Sequence, residues 1–389
     1  MGRKISILGA TGSIGVNTLE VVDSLKEDIE IKYLTAKKNA KLLIKQALKY
    51  RPNAVGILDE NAGKLVKEKL EKEEIEVLIG RAGLLEIAGR TDVDLMFNGL
   101  VGSSGMEPTL YAIQSGVNVA LSNKESLVMA GDLINRTKLE KGVSLFPVDS
   151  EHSAIWQCLT GEKLEDVRRI ILTGSGGPFR TREISTLSDI TIEEALNHPN
   201  WDMGNKITID SATMMNKGLE LIEACALFSI EPSRVEIVVH PQSIVHSLVE
   251  YSDGSLLAQM ASPDMRIPIV NALSYPDRIS SGSERLDVGQ LGVLEFKEPD
   301  ERHFPCLRLA REVAETGGTA PVILNAANEI AVDAFCNGRI RFTQISEFVD
   351  RTLQILPVLI RRDLETVLEV DLKTRRVTKD LIMSASGTA

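Results

Sequence analysis

Short apolar runs recur seven times in the first 150 residues of this chain, at 5–8, 31–34, 55–58, 77–79, 95–97, 119–121 and 143–146, with amphipathic helical stretches between them. Strands at that spacing predict an α/β fold built on a doubly wound, mostly parallel sheet. Ligands bind such sheets beyond the carboxyl ends of the strands, and Asp149 stands just past the last run. Gly9-Ala10-Thr11-Gly12-Ser13-Ile14-Gly15 follows the first run directly and opens a helix through Leu19, Val22 and Leu25. Glycines there let the backbone turn tightly and approach a pyrophosphate, while the helix N-terminus supplies N–H groups and partial positive charge. The second run ends in Thr35-Ala36-Lys37-Lys38-Asn39, with two cations and no carboxylate. A carboxylate would repel a 2′-phosphate and lysines attract it, so NADP is favoured over NAD; the same lysines also suit a solvated helix start.

With 389 residues the chain exceeds one ordinary core, and two or three domains are expected. A net charge of −11 gives no general attraction to nucleic acid or to anionic membranes, so any anionic ligand needs a local cationic pocket. Aromatic residues make up only 4%, too few for stacking platforms. Cys158, Cys225, Cys306 and Cys336 are widely spaced, which argues against a zinc site or a disulfide framework and points to a reducing cytoplasm. No apolar run reaches the length of a membrane helix, and Met1-Gly2-Arg3-Lys4 leads straight into the first strand, so no signal or transit peptide is expected.

From Glu151 the texture changes. Gly-rich Thr173-Gly174-Ser175-Gly176-Gly177-Pro178, a polar stretch to Ala195, and His198-Pro199-Asn200-Trp201-Asp202-Met203-Gly204 read as a mobile lid or as a long surface loop. Runs at 235–239 and 244–250 with the turn Ser252-Asp253-Gly254 suggest a smaller sheet ending in a hairpin, able to extend across a dimer axis. Residues 276–299 read as a linker, followed by helical patterns from 305 to 380, including 322–335, 342–356 and 361–369.

Two clusters carry chemistry. Asp149-Ser150-Glu151 places two carboxylates two residues apart, on one face if the strand at 143–148 continues, which suits a divalent cation; taken alone, the triplet more often reads as a helix cap. In Ser211–Glu223 a helix would gather Asn216, Lys217 and Glu220 on one face and Met215, Leu219, Ile222 and Ala226 on the other, with Ser211 contributing from the cap. A carboxylate, a cation and an amide together suit a metal-bound phosphorylated ligand, though such a face also fits solvent. Lys124, in Ser122-Asn123-Lys124-Glu125-Ser126, falls at the start of a helix, where the dipole disfavours a cation and calls for an anionic partner. His240 and His246 read as packed or hydrogen-bonded structure.

These motifs, taken with Pro241-Gln242-Ser243-Ile244-Val245-His246 and Leu324-Asn325-Ala326-Ala327-Asn328-Glu329, resemble the 1-deoxy-D-xylulose 5-phosphate reductoisomerase family over nearly the whole chain. The resemblance implies an NADPH- and Mg²⁺- or Mn²⁺-dependent homodimer acting on a phosphosugar in non-mevalonate isoprenoid synthesis. It implies Asp149, Glu151 and Glu220 as metal ligands, and Lys124, Ser150 and Glu151 around the reacting carbons. Ser175, Ser211, Asn216 and Lys217 would take the phosphate, and His198, Trp201 and Met203 would belong to the lid. Lys124, Glu151 and His198 are the expected catalytic residues. Thr11, Gly12, Ser13, Ile14, Lys38, Asn39, Asn123, Glu125 and Gly204 would line the cofactor. Lys37 stands where the family usually has glycine, adding a charge beside the 2′-phosphate. The expected organisation is a Rossmann-like NADPH-binding domain at 1–149, a catalytic, metal-binding and dimerisation domain at 150–275 with a lid near 174–205, a linker at 276–300, a helical domain at 301–382 and a disordered tail at 383–389.

Two other readings share the glycine loop. A semialdehyde-type dehydrogenase would need an activated cysteine nucleophile, and no motif beside the four cysteines supplies one. A non-catalytic NADPH sensor would not need three carboxylates and Lys124.

Overall fold

A computed structural model describes residues 2–25, 29–198 and 203–386. The first half alternates β1 (Arg3–Leu8), α1 (Ser13–Ser24), β2 (Ile29–Ala36), α2 (Ala40–Tyr50), β3 (Ala54–Ile57), α3 (Glu60–Leu70), β4 (Glu76–Ile79), α4 (Gly80–Ala88), β5 (Leu95–Asn98), α5 (Met106–Gln114), β6 (Asn118–Leu121), α6 (Lys124–Lys141), β7 (Leu145–Pro147) and α7 (Ser150–Leu159). Next come β8 (Val167–Gly174), α8 (Ile192–Leu196), α9 (Asn205–Ala212), α10 (Met215–Phe228), β9 (Val235–Val239), β10 (Val245–Tyr251), β11 (Leu256–Met260) and α11 (Arg266–Ser274). The chain closes with α12 (Pro305–Thr316), α13 (Ala320–Cys336), α14 (Gln344–Ile355) and α15 (Leu364–Ser386).

The chain divides into two compact units. The first comprises Met1–Ser126, Ile134–Ser153 and Asp264–Glu284. All seven expected strands form its parallel sheet, in the order β4-β3-β2-β1-β5-β6-β7. The chain runs outward from β1 to β4, then restarts on the other side of β1 with β5. That reversal makes the carboxyl ends of β1 and β5 the switch point where such sheets bind ligands. Ile5, Ile7, Leu34, Val55, Leu95 and Phe97 are buried with almost no exposure, as expected for strands covered on both faces. Helix starts are set by side-chain caps: Asn39 accepts from Leu42 N at 3.2 Å, Asp59 from Ala62 N at 2.8 Å and Asn123 from Ser126 N at 3.0 Å.

The second unit comprises Leu127–Leu133, Ala154–Pro263 and Arg285–Ala389. Its sheet has the order β11-β10-β8-β9, with β8 and β9 parallel and β10 antiparallel to both its neighbours. The hairpin expected after residue 244 joins β10 to β11 through Ser252-Asp253-Gly254. One core unites Ile170, Leu172, Val235 and Val249 of the sheet with Leu219 and Leu221 of α10 and with Leu309, Leu324, Phe335 and Phe348 of the C-terminal helices.

Several boundaries differ from those expected. Residues 301–382 share the core of the central sheet, because α12 and α13 bury their apolar faces against it. Residues 264–275 group with the first unit, where Ile269, Val270 and Leu273 of α11 join its core. β8 was not foreseen. The tail expected to be disordered from 383 continues as helix to Ser386, held by Ile382 in the core with Leu381 and Ala385 packed beside it; 387–389 lie outside the described residues. The stretch expected as a lid carries the short helix α8 and buries Phe179, Leu187, Ile190 and Ala195, with Phe179 edge-on to Phe342. Trp201 lies outside the described residues.

Candidate active site

In the first unit the glycine loop is shaped by close backbone approach. Gly9 has φ +82°, and a Cβ there would sit 2.8 Å from Gly99 O; a Cβ on Gly15 would sit 2.4 Å from Gly9 O. Gly12 is the N-cap of α1 and makes no side-chain cap, which leaves first-turn N–H groups as donors for an anion. Thr11 and Ile14 are partly exposed and Gly12 and Ser13 exposed, as are Lys37, Lys38 and Asn39 beyond β2. Asn39 also caps α2. Asn123 and Glu125 are buried, and the Asn123 amide donates to Leu100 O, Gly102 O and Glu125 Oε2 at 2.9–3.0 Å. Asn123 therefore pins the loop after β5.

The Asp149 region does not follow the strand parity expected of it. β7 ends at Pro147, and Ser153 N donates to Asp149 O at 2.9 Å, so Asp149 is the cap position of α7 and Glu151 lies in its first turn. The Asp149 carboxylate accepts from Lys124 Nζ at 2.8 Å on Oδ2, and His152 Nδ1 lies 3.0 Å from Oδ1. Lys124 is 4% exposed and His152 fully buried. Lys124 thus has the anionic partner its place at a helix N-terminus demands. The Ser150 hydroxyl donates to Glu151. His152 was not singled out from the sequence, although its i, i+3 spacing from Asp149 on a helix was the available signal.

In the second unit, α9 and α10 are separate helices. Met214 adopts the left-handed conformation, φ 59°, which ends one helix and starts the next; no glycine or proline marks the break. Ser211 therefore lies in the last turn of α9, not at the cap of α10. His198 Nε2 lies 3.3 Å from Ser175 Oγ and 3.0 Å from Ser211 Oγ, drawing three expected residues together. Burial, then the charges of Lys217 and Arg180, push the His198 pKa down to about 4. Arg180, whose guanidinium donates to Gly177 O at 3.1 Å, is a cation of this cluster that sequence reasoning passed over.

Lys217 and Glu220 are 5% and 1% exposed and form an ion pair, and the Asn216 amide also donates to Glu220. The face expected to be polar is thus buried, so the solvated alternative fails. The Lys217 stem lies against the end of β8, where a Cβ on Gly174 would be 2.8 Å from Lys217 Cε. Met203 is partly exposed, and Gly204 is the N-cap of α9. Asp149, Glu151 and Glu220 each carry the hard carboxylate oxygens that Mg²⁺ or Mn²⁺ takes.

His240 Nδ1 donates to Glu295 O at 2.8 Å, Nε2 accepts from Ile244 N at 3.2 Å, and the ring stacks on Phe296, so His240 is structural as expected. Burial pushes the thiols of Cys225 and Cys306 up to about 12 and raises Cys336, the opposite of what a cysteine nucleophile needs.

Family models match in three segments: 1-deoxy-D-xylulose 5-phosphate reductoisomerase at residues 5–131, and its C-terminal domains at 145–228 and 260–377. The chain is 49% identical over 378 residues to 1-deoxy-D-xylulose 5-phosphate reductoisomerase of Chloroherpeton thalassium, covering 97% of this chain and 98% of that one. It is 49% identical over 381 residues to that of Stutzerimonas stutzeri, covering 96% of each. Among solved structures, DOX-P reductoisomerase in complex with NADPH, fosmidomycin and magnesium has a TM-score of 0.94 at 40% identity, covering 98% of each chain. The Zymomonas mobilis enzyme in complex with NADPH has a TM-score of 0.92 at 43% identity, covering 98% of this chain and 99% of that one.

Proposed function

The chain belongs to the 1-deoxy-D-xylulose 5-phosphate reductoisomerase family, and from that premise we propose how its residues divide the reaction. The reaction is the NADPH- and divalent-metal-dependent conversion of 1-deoxy-D-xylulose 5-phosphate to 2-C-methyl-D-erythritol 4-phosphate. Asp149, Glu151 and Glu220 would hold Mg²⁺ or Mn²⁺. The observation that carries this assignment is the compensation of buried carboxylates by ammonium groups, Asp149 by Lys124 and Glu220 by Lys217. Such carboxylates require a cation, and a divalent ion meets the same requirement. The glycine loop fits a pyrophosphate, with Thr11, Gly12, Ser13 and Ile14 at it, Lys37, Lys38 and Asn39 toward the 2′-phosphate, and Asn123, Glu125 and Gly204 along the rest of the cofactor.

When bound, the metal acidifies the substrate's C3 hydroxyl and polarises its C2 carbonyl, and NADPH supplies the hydride. Lys124 keeps a positive charge where oxygen becomes negative during the rearrangement. Ser150 orients the Glu151 carboxylate, which accepts a proton at the reacting end. Ser175, Ser211, Asn216 and Lys217 bind the phosphate, Lys217 exchanging a carboxylate partner for a phosphate oxygen. His198 stays neutral, bridges Ser175 and Ser211, and serves as a hydrogen-bonding ligand. His198, Trp201 and Met203 belong to the lid, which excludes water from the branched aldehyde before its reduction.

We also propose a cytoplasmic homodimer. Four free cysteines support a reducing compartment. β11 stands at the edge of its sheet with Leu256, Leu257 and Met260 exposed, which supports pairing with a second copy. No described helix is long and apolar enough to cross a membrane. The test mixes the chain with NADPH and 1-deoxy-D-xylulose 5-phosphate, with and without Mg²⁺ or Mn²⁺, and follows NADPH absorbance. Loss of absorbance that needs the metal is expected; metal-independent loss, or none, refutes the reading.

A further inference from the structure

Helix α9 is only eight residues long, yet it carries Ser211 to the imidazole of His198. A helix that short does not hold itself, so contacts outside it must set its position. The residue beside Ser211 supplies one. Asp210 is 1% exposed, and its carboxylate accepts from Asn328 Nδ2 of α13 at 2.8 Å while pairing with Lys206 Nζ at 2.8 Å. Asn328 is fully buried, and its Oδ1 has no hydrogen-bond partner among the described residues. An apolar side chain in its place would leave the buried Asp210 carboxylate short of a donor. What the amide supplies is direction: a fixed donor from the 17-residue helix α13 to the one carboxylate adjoining Ser211.

The surrounding backbone makes Ser211 sensitive to that anchor. A Cβ on Gly177 would lie 2.6 Å from Ser211 O, so the glycine loop carrying Ser175 is pressed against the end of α9. On the other side the chain passes through left-handed Met214 directly into Asn216 and Lys217. A rotation of α9 therefore moves Ser211 relative to Ser175, His198 and the α10 residues together. We propose that Asp210 and Asn328 are positioning residues for phosphate recognition, clamping α9 to α13 so that Ser211 meets the substrate's phosphate. This rests on the assignment of Ser211 to the phosphate made above.

The test is a double-mutant cycle on the full-length enzyme with Mg²⁺, NADPH and 1-deoxy-D-xylulose 5-phosphate. Asn328→Leu keeps the number and branching of side-chain heavy atoms and removes the donor. It raises the phosphosugar KM about tenfold, the worth of one hydrogen bond to a charged group, and leaves kcat and the NADPH KM within about twofold. In a Ser211→Ala background it adds less than about twofold, because the clamp then has no serine to place. The exchange Asp210→Asn with Asn328→Asp restores a donor–acceptor pair and recovers most of the loss. Should Asn328→Leu fail to fold, Lys206→Met, at a partly exposed position, releases the same carboxylate and raises the phosphosugar KM about threefold. An unchanged phosphosugar KM, a parallel loss in the NADPH KM, or full additivity with Ser211→Ala overturns the clamp while the phosphate assignment stands. A Ser211→Ala enzyme with unchanged phosphosugar KM instead overturns the phosphate assignment itself.

Discussion

Gly15→Ala tests the cofactor loop most directly, because the two glycines at the start of α1 differ sharply in what a methyl group would meet. At Gly15 the added carbon lies 2.4 Å from Gly9 O, 2.5 Å from Ala10 Cα and 2.7 Å from Ala10 C, all backbone atoms that no rotamer change relieves. Ordinary contact begins at 3.4 Å. The loop must therefore open by about 1 Å, a displacement of the size that costs about a hundredfold when it misplaces binding groups. One or two charge-assisted hydrogen bonds to the pyrophosphate are weakened, out of about 1.5–3 kcal/mol each. The expected outcome is an NADPH Kd raised about 30- to 100-fold. At Gly12 the same methyl meets only Gly9 O at 3.4 Å, with φ −85°, so Gly12→Ala leaves the packing of the unliganded loop intact and is expected to melt close to the parent. Titration of cofactor fluorescence reads the first variant, and thermal melts read both. Near-parental NADPH affinity for Gly15→Ala refutes the close-approach argument.

Glu220→Gln is expected to abolish metal-dependent turnover while NADPH affinity is kept; turnover at the parental rate removes Glu220 from the metal site. Lys38→Ala should weaken NADPH about tenfold through loss of one charge-assisted contact and leave NADH unchanged, so an equal effect on both cofactors places the lysine elsewhere. His246 has its pKa pushed down from 6.5 to about 4, chiefly by burial. The unfolded chain therefore takes up a proton first, and the stability held by neutral His246 is complete above about pH 6.5 and lost as pH falls toward 4. At pH 4.5 that loss is about 2–3 kcal/mol; His246→Asn should flatten the acid limb of urea-melt stability against pH, and an unaltered limb would exclude this histidine as its source.

Much of the site was legible because its motifs are local. The glycine loop between β1 and α1 and the cations after β2 stand where spacing places them. Reasoning from period failed where a helix boundary carries no mark. Of the two readings of Asp149-Ser150-Glu151, the helix cap holds and the shared strand face does not, because α7 begins at Ser150 and separates the carboxylates into a cap and a first turn. Ser211 was read at the start of the helix carrying Glu220, but left-handed Met214 breaks the chain between them. β8 escaped notice because Val167-Arg168-Arg169-Ile170-Ile171-Leu172-Thr173-Gly174 shows no simple alternation, its later residues being buried on both faces.

The sequence by itself determined the seven-stranded parallel sheet and the glycine loop between β1 and α1, since each depends on residues within one strand, turn or helix. Only the tertiary structure decided that Lys124 meets Asp149 across 25 residues, that Ser175 and Ser211 share His198, that α11 belongs to the first core and that Asn328 holds Asp210 across 118. The physical reason is that periodicity reports which face of an element is apolar, whereas the partner of a buried charge is chosen by how those faces pack.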